Sequence, residues 1–393
     1  TDEIAAQVLR DNYEQNVLLG NSRANAPEML SSHGRLIDHL EAKGVLDRVL
    51  EDLPSADEIA ARIERREGLT RPEFAVLAAH AKRALKDDLA SSTLADDPWF
   101  DAVLAAYFPS AVRAAYPDDI RRHPLRAEII VNAVANTIVN RGGITFVHRA
   151  ATETGASVEQ IARAFVAVRE ILNLRGFVEQ VEALDGIVPS TVQTDMLLTF
   201  RRLIDRATRW VVQHRPGRID IGAEVARFGE VIPTLAARLD VLLQGEDRAR
   251  FAARAVDLTV AGVPEGLARR GAGLLASLPL FDVVEQATNA VLAERGLALI
   301  AERQRRDVRS DFLAQNVGEI RLDHLTNRVF WLENLPVLKV QFEQLCAPAA
   351  IELGFRVGIE LAQVVGFGVV IRGLGYPEQL GGVWQTVVEV EHR

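Results

Sequence analysis

The side chains in this 393-residue chain that could do chemistry are few and badly spaced for it. Asp87-Asp88 and Asp118-Asp119 are paired acids, but adjacent residues of a helix point in different directions, so neither pair makes a general acid/base dyad. His33 and His39 share a helix face only loosely, a poor arrangement for metal ligation. The single cysteine, Cys346, excludes an internal disulfide framework and a Cys-rich zinc site; it fits a reducing compartment and reads as a small buried apolar residue. No Gly-x-Ser-x-Gly elbow, His-Glu-x-x-His pair or Walker loop occurs. Gly366-Phe367-Gly368 and Gly373-Leu374-Gly375 lack the third glycine and the following helix of a dinucleotide fingerprint. No catalytic, cofactor-binding or metal-ligating residue is therefore nominated in this chain.

The most unusual polar pattern is Asn132, Asn136 and Asn140, repeating every fourth residue within His123–Phe146, with Ile130, Val134 and Ile138 beside them. Pro124 at one end and Gly142-Gly143 at the other predict a helix from about Pro124 to Arg141, apolar nearly all round and therefore buried. Buried amides need partners, so the asparagines are expected to meet polar groups on a packed neighbour and fix its register.

Helix dominates up to about residue 310. Ile4, Val8, Leu9 and Tyr13 set one apolar face, and Met29, Leu36, Ile37, Leu40, Leu46 and Leu50 continue in a second helix. Ser55-to-Glu58, Thr70-to-Glu73 and Ser157-to-Gln160 each have the spacing of a capping box, and Ile161, Phe165, Val168 and Leu172 form a core stripe after the last of them. Asp97-Pro98 and Tyr116-Pro117 are breaks. Leu197 to Val212 reads as a helix with a basic outer face of Arg201, Arg202, Arg206 and Arg209, beside Trp210, the expected candidates for contact with another body. From about Gly354 glycine and valine replace charge, as in Val364–Gly368 and Trp384–Val390, and the last of these has strand-forming residues with partial alternation.

Hydrophobic residues at 48% and charged residues at 25% are those of a folded globular chain with two or three domains or subdomains, and no apolar run approaches the roughly 20 residues of a membrane helix. A net charge of −9 argues against nucleic acid as a partner, including a helix-turn-helix use of the arginines at 201–209. No repeat period of about 33 to 47 residues marks a helical-repeat scaffold. The chain opens at Thr1 without a leader-like segment and enters a helical pattern at once, as expected of a piece of something longer; removal of an initiator methionine would leave the same end.

The blocks TDEIAAQVLRDNYEQN (1–16), GLTRPEFAVLAAHAK (68–82), HPLRAEIIVNAVANTIVNRGGITF (123–146), ETGAS (153–157) and RRLIDRATRW (201–210) closely resemble the C-terminal helical region of the large bacterial NAD-dependent glutamate dehydrogenases, in order and spacing, over about residues 1–285. The resemblance implies the oxidation of L-glutamate to 2-oxoglutarate and ammonia with NAD, in the cytoplasm and by a homo-oligomer. In that family the catalytic lysine, the aspartate and the nicotinamide-binding glycines lie in an N-terminal core, and none has a matching position here. The expectation is an all-α, irregular multi-helix bundle: residues 1–54 return from that core, 55–300 form the helical C-terminal domain, and 301–393 are an atypical glycine/valine-rich tail. NAD belongs to the full-length enzyme and none is expected on this chain. Its partner is the dehydrogenase core, its role assembly or regulation, and this chain alone is expected to be inactive. A free-standing all-α interaction protein is the alternative. The tail, which departs from the family after about residue 290, is either a divergent end or the product of a reading-frame change.

Overall fold

The computed structural model describes residues 2–288, 368–372 and 387–391. Its elements in order are α1 (Asp2–Ala24), α2 (Ala26–Ala42), α3 (Ala56–Glu64), α4 (Arg71–Ala90), α5 (Asp101–Ala106), α6 (Ser110–Ala115), α7 (Pro117–Arg121), α8 (Arg126–Thr137), α9 (Phe146–Thr154), α10 (Val158–Ile171), α11 (Leu174–Glu182) and α12 (Ser190–His214). Then follow α13 (Ile221–Phe228), α14 (Val231–Ala236), α15 (Leu239–Leu242), α16 (Gly245–Val260) and α17 (Glu265–Gly273), and the strands β1 (Gly368–Arg372) and β2 (Val387–Glu391). Residues 1–281 form one compact unit, an irregular all-α bundle, and residues 282–393 a second. In the second, β1 and β2 pair antiparallel with Gly368 opposite Glu391 and Arg372 opposite Val387. Strand β2 overlaps the Trp384–Val390 stretch read as strand-forming and runs one residue past it. Strand β1 starts at Gly368, the last residue of the glycine/valine-rich Val364–Gly368 stretch; Cys346, Val364 and Trp384 lie outside the described residues.

Helix α10 is the hub of the bundle, packing against α4, α9, α11, α12 and α13. The stripe Ile161, Phe165, Val168 is wholly buried, and so are Ala164 and Ala167 between them, so neighbours enclose the helix on more than its apolar face. Burying a side chain such as Phe165 contributes roughly 1.5–3 kcal/mol. The start of α10 is written locally: the Ser157 hydroxyl accepts from the Gln160 N–H at 3.2 Å and the Gln160 side chain accepts from the Ser157 N–H at 2.9 Å. At α4 the Glu73 carboxylate accepts from the Thr70 N–H at 2.6 Å, and at α3 the Ser55 hydroxyl accepts from the Glu58 N–H at 3.2 Å. Both proline breaks are present, as a 3₁₀ turn at Pro98–Phe100 and as the start of α7 at Pro117.

Three expectations are corrected. Helix α8 begins at Arg126, because His123–Arg126 closes a turn through the Arg126 N–H and the His123 carbonyl, and past Thr137 it widens into a π-helical turn at Ile138–Gly142. The apolar face of α1 is not core: Ile4 and Val8 are 53% exposed and Leu9 70%, while burial on this helix begins at Leu18. Leu50 does not continue α2, which ends at Ala42; it sits 81% exposed in a separate turn.

Candidate functional site

The π-helical turn is built by its glycines. A Cβ at Gly142 would lie 3.0 Å from the Phe146 ring and 3.3 Å from Phe165, so a larger residue there would make these rings give by a few tenths of an ångström, and Gly143 turns the chain out at φ +107°. Such single wide turns are frequent at functional positions in helices. Here the turn delivers Asn140 and Arg141 into the densest polar cluster joining α1, α11 and α12. Arg141 donates to Glu14 of α1 at 2.7 Å and to Glu182 of α11 at 2.5 Å. Arg10 closes the ring at 3.2 Å from Glu14 and 3.5 Å from Glu182. The Asn140 side-chain amide donates to Glu14 at 3.4 Å, and the Asn140 backbone carbonyl accepts from Arg201 of α12 at 3.1 Å. Burial, with Arg141 close by, pulls the Arg201 guanidinium down to about 10, so it remains a cation at neutral pH. Burial, then Glu182 and Asp185, push the Tyr13 phenol above its usual range. With both carboxylates committed to guanidinium groups, the cluster is chemically a clamp between helices, without a free base or nucleophile.

A second cluster is closed even more fully. Arg163 of α10 has no exposed side-chain surface and donates to Asp97 at 2.5 Å, to Glu159 at 2.9 Å, and to the carbonyls of Ile219 and Thr93 at 3.4 Å. Burial alone would raise both carboxylates; hydrogen bonds and charge from Arg163 prevail and hold Asp97 and Glu159 below their usual range.

The histidines are not brought together as ligands. His33 is buried edge-on against Phe74, with ring centroids 5.0 Å apart, and burial takes it down to about 4, so it is neutral. His39 instead meets His148 of α9 at 4.7 Å. Among the described residues no group of three or more His, Cys, Asp or Glu could hold a metal ion. Asp88 pairs with Lys43, and Asp118 and Asp119 with Arg121 and Arg122 at 2.8 and 3.4 Å on an exposed turn, so the acid pairs are surface ion pairs.

The basic face expected on α12 is divided by the fold. Arg202 and Arg206 are exposed, Arg201 is turned inward, and Arg209 is held by Glu153 at 2.7 Å and Asp205 at 2.5 Å. Trp210 is 8% exposed and stacks on His214 at 4.0 Å within a cluster with Phe228 and Phe281, so it belongs to the core and not to a contact surface. The asparagine stripe is also corrected. Only Asn140 is buried; Asn132 and Asn136 are half-buried and bond to no protein group, and Asn136 lines a groove beside α4. Missed from sequence were Arg141 and Arg163 as cluster centres. Their partners Glu14 and Asp97 lie 127 and 66 residues away, a distance over which local periodicity is silent.

The family model described as glutamate dehydrogenase, C-terminal, matches residues 66–307. The chain is 39% identical over 285 residues to the NAD-specific glutamate dehydrogenase of Pseudomonas aeruginosa, covering 72% of this chain and 18% of that protein. It is 38% identical over 284 residues to the protein of the same name from Mycobacterium tuberculosis and 37% over 289 residues to that of Halomonas elongata. It thus spans less than a fifth of the length of these relatives, 17% and 18% of those two.

Proposed function

The chain belongs to the glutamate dehydrogenase C-terminal family, and from that premise we propose that it is the helical C-terminal part of an NAD-dependent glutamate dehydrogenase, acting in assembly or regulation of a catalytic core that lies outside residues 1–393. The reaction of that whole enzyme is L-glutamate and NAD to 2-oxoglutarate, ammonia and reduced NAD. The observation that carries the assembly role is α1. Its second half is clamped into the bundle through Glu14 and Arg141, whereas its first half holds out Ile4, Val8 and Leu9 at 53%, 53% and 70% exposure. Apolar residues grouped this way on an exposed helix mark an interaction surface. Residues 1–54 then serve as the connection to the core, with Arg202 and Arg206 on α12 as further contact candidates.

NAD is assigned to the core. No helix of the described residues is long and apolar enough to cross a membrane.

The test uses residues 1–393 beside the Pseudomonas aeruginosa relative truncated before its matching region. The chain alone should give no NADH from glutamate and NAD, and adding it should raise the activity or the assembled mass of the truncated enzyme. Substituting Ile4, Val8 and Leu9 together by serine should abolish that effect. Turnover by the chain alone, or no association with the truncated enzyme, would overturn the reading.

A further inference from the structure

A groove of about 410 Å³ runs between α1, α4 and α8. Its walls carry Lys82, Arg83 and Lys86 from α4, Gln15 from α1 and Asn136 from α8, with Asp87 as the carboxylate among its lining residues. Lys82 and Lys86 are half-buried, and neither makes an ion pair or hydrogen bond to the protein; Asn136 opposite them is equally unengaged. Elsewhere in the bundle Arg62, Arg141, Arg163 and Arg209 are each met by a carboxylate, and Arg201 and Arg270 by backbone carbonyls, so these cations have protein partners that the two lysines lack. Of the nearby acids, Glu14 is already taken by Arg141 and Arg10, and Asp11 forms no ion pair with Lys82.

Lys82 and Lys86 lie one helical turn apart on the same face, with Cα atoms about 6 Å apart along the axis. Two ammonium groups at that spacing can close on the oxygens of one anionic group, and the groove volume is within the usual range for small-molecule sites. Burial, then the charge of Lys86, pull the Lys82 ammonium below the usual lysine range, against the opposing pull of Glu14 and Asp11; an anion between the two lysines would relieve both effects.

We propose that this groove binds a small oxyanion, a phosphate or carboxylate group held between Lys82 and Lys86 with the Asn136 amide as a donor on the opposite wall. Arg83, exposed at the edge, draws the anion in. The site is separate from the α1 surface assigned to core docking, so it stands or falls without that assignment.

The experiment is isothermal titration of the 393-residue chain with two probes, inorganic phosphate and succinate. Saturable one-to-one binding of at least one is expected, and the one bound tells whether the natural ligand is a phosphate ester or a carboxylate. Lys82→Met combined with Lys86→Met should weaken it roughly tenfold or more, and Arg121→Met, which removes an exposed cation on α7, should leave it unchanged. If the double variant loses its helical signal, Asn136→Leu decides in its place, with weaker binding expected. No saturable binding of either probe, or binding that survives the loss of both lysines or of Asn136, would overturn the proposal.

Discussion

Helices α10 and α4 pack against each other, yet they treat their cations in opposite ways. Around Arg163 on α10 two carboxylates and two carbonyls enclose the guanidinium, and its side chain has no exposed surface. On α4 the Lys82 and Lys86 ammonium groups are partly withdrawn from water and find no partner in the protein. A buried cation must be paired to be tolerated at all, so the closed cluster is explained by folding alone. The open groove is not, because its half-desolvated charges contribute nothing to stability that would account for them. The difference separates polar groups that hold the bundle together from polar groups left available to something else.

The sharpest way to break this distinction is Arg163→Met. It leaves Asp97 and Glu159 without their cation, and unfolding in urea should show a loss of roughly 3–5 kcal/mol. A loss below about 1 kcal/mol would mean the closed cluster is not structural. A pH series follows from the same residues. Asp97 and Glu159 have folded-state pKa values below their unfolded ones, so the stability they contribute is complete above about pH 4 and disappears as the pH falls through the folded values. Acid unfolding followed by circular dichroism should therefore be steep in the unmodified chain. It should flatten in Arg163→Met, where burial, which raises both groups, is opposed only by the Trp99 N–H and Arg218 at Asp97 and by Thr93 at Glu159.

On the open side the expected effects shrink. Lys82→Met should change stability by less than about 1 kcal/mol and toward greater stability, since it removes a partly buried charge whose burial outweighs the distant pull of Glu14 and Asp11. A clear destabilisation in thermal unfolding would show that Lys82 has a structural partner after all. Smallest is Asn136→Leu, which should stay within about 0.5 kcal/mol because its amide bonds to no protein group. Together with the anion titration, this variant tells a binding residue from a structural one.

Much of the fold was legible in the residues. The capping serines and threonine mark the starts of α3, α4 and α10, the prolines mark the breaks at Pro98 and Pro117, and the 4-3-4 stripe after Ser157 marks the core helix, because each of these signals acts within one or two turns of chain. The same local logic misjudged α1 and the asparagine stripe. An apolar face tells that a helix can be buried, not that a neighbour within this chain does so; hence Ile4, Val8 and Leu9 stand exposed while Asn136 borders a groove. Trp210 was placed with the arginines of its helix, but the direction of its ring depends on Phe228 and Phe281, which arrive from later in the chain.

The sequence by itself therefore determined the helical class, the main helix boundaries and the family, since propensity, capping and a recurrent string of residues such as Asn140-Arg141-Gly142-Gly143 are all local properties. Tertiary structure alone decided which charges are satisfied. Arg141 meets Glu14 and Arg163 meets Asp97 across 127 and 66 residues, while Lys82 forms no ion pair and feels Glu14 and Asp11 only at a distance. Whether a buried charge finds a partner depends on the distance between elements in space, and that distance is set by packing rather than by position along the chain.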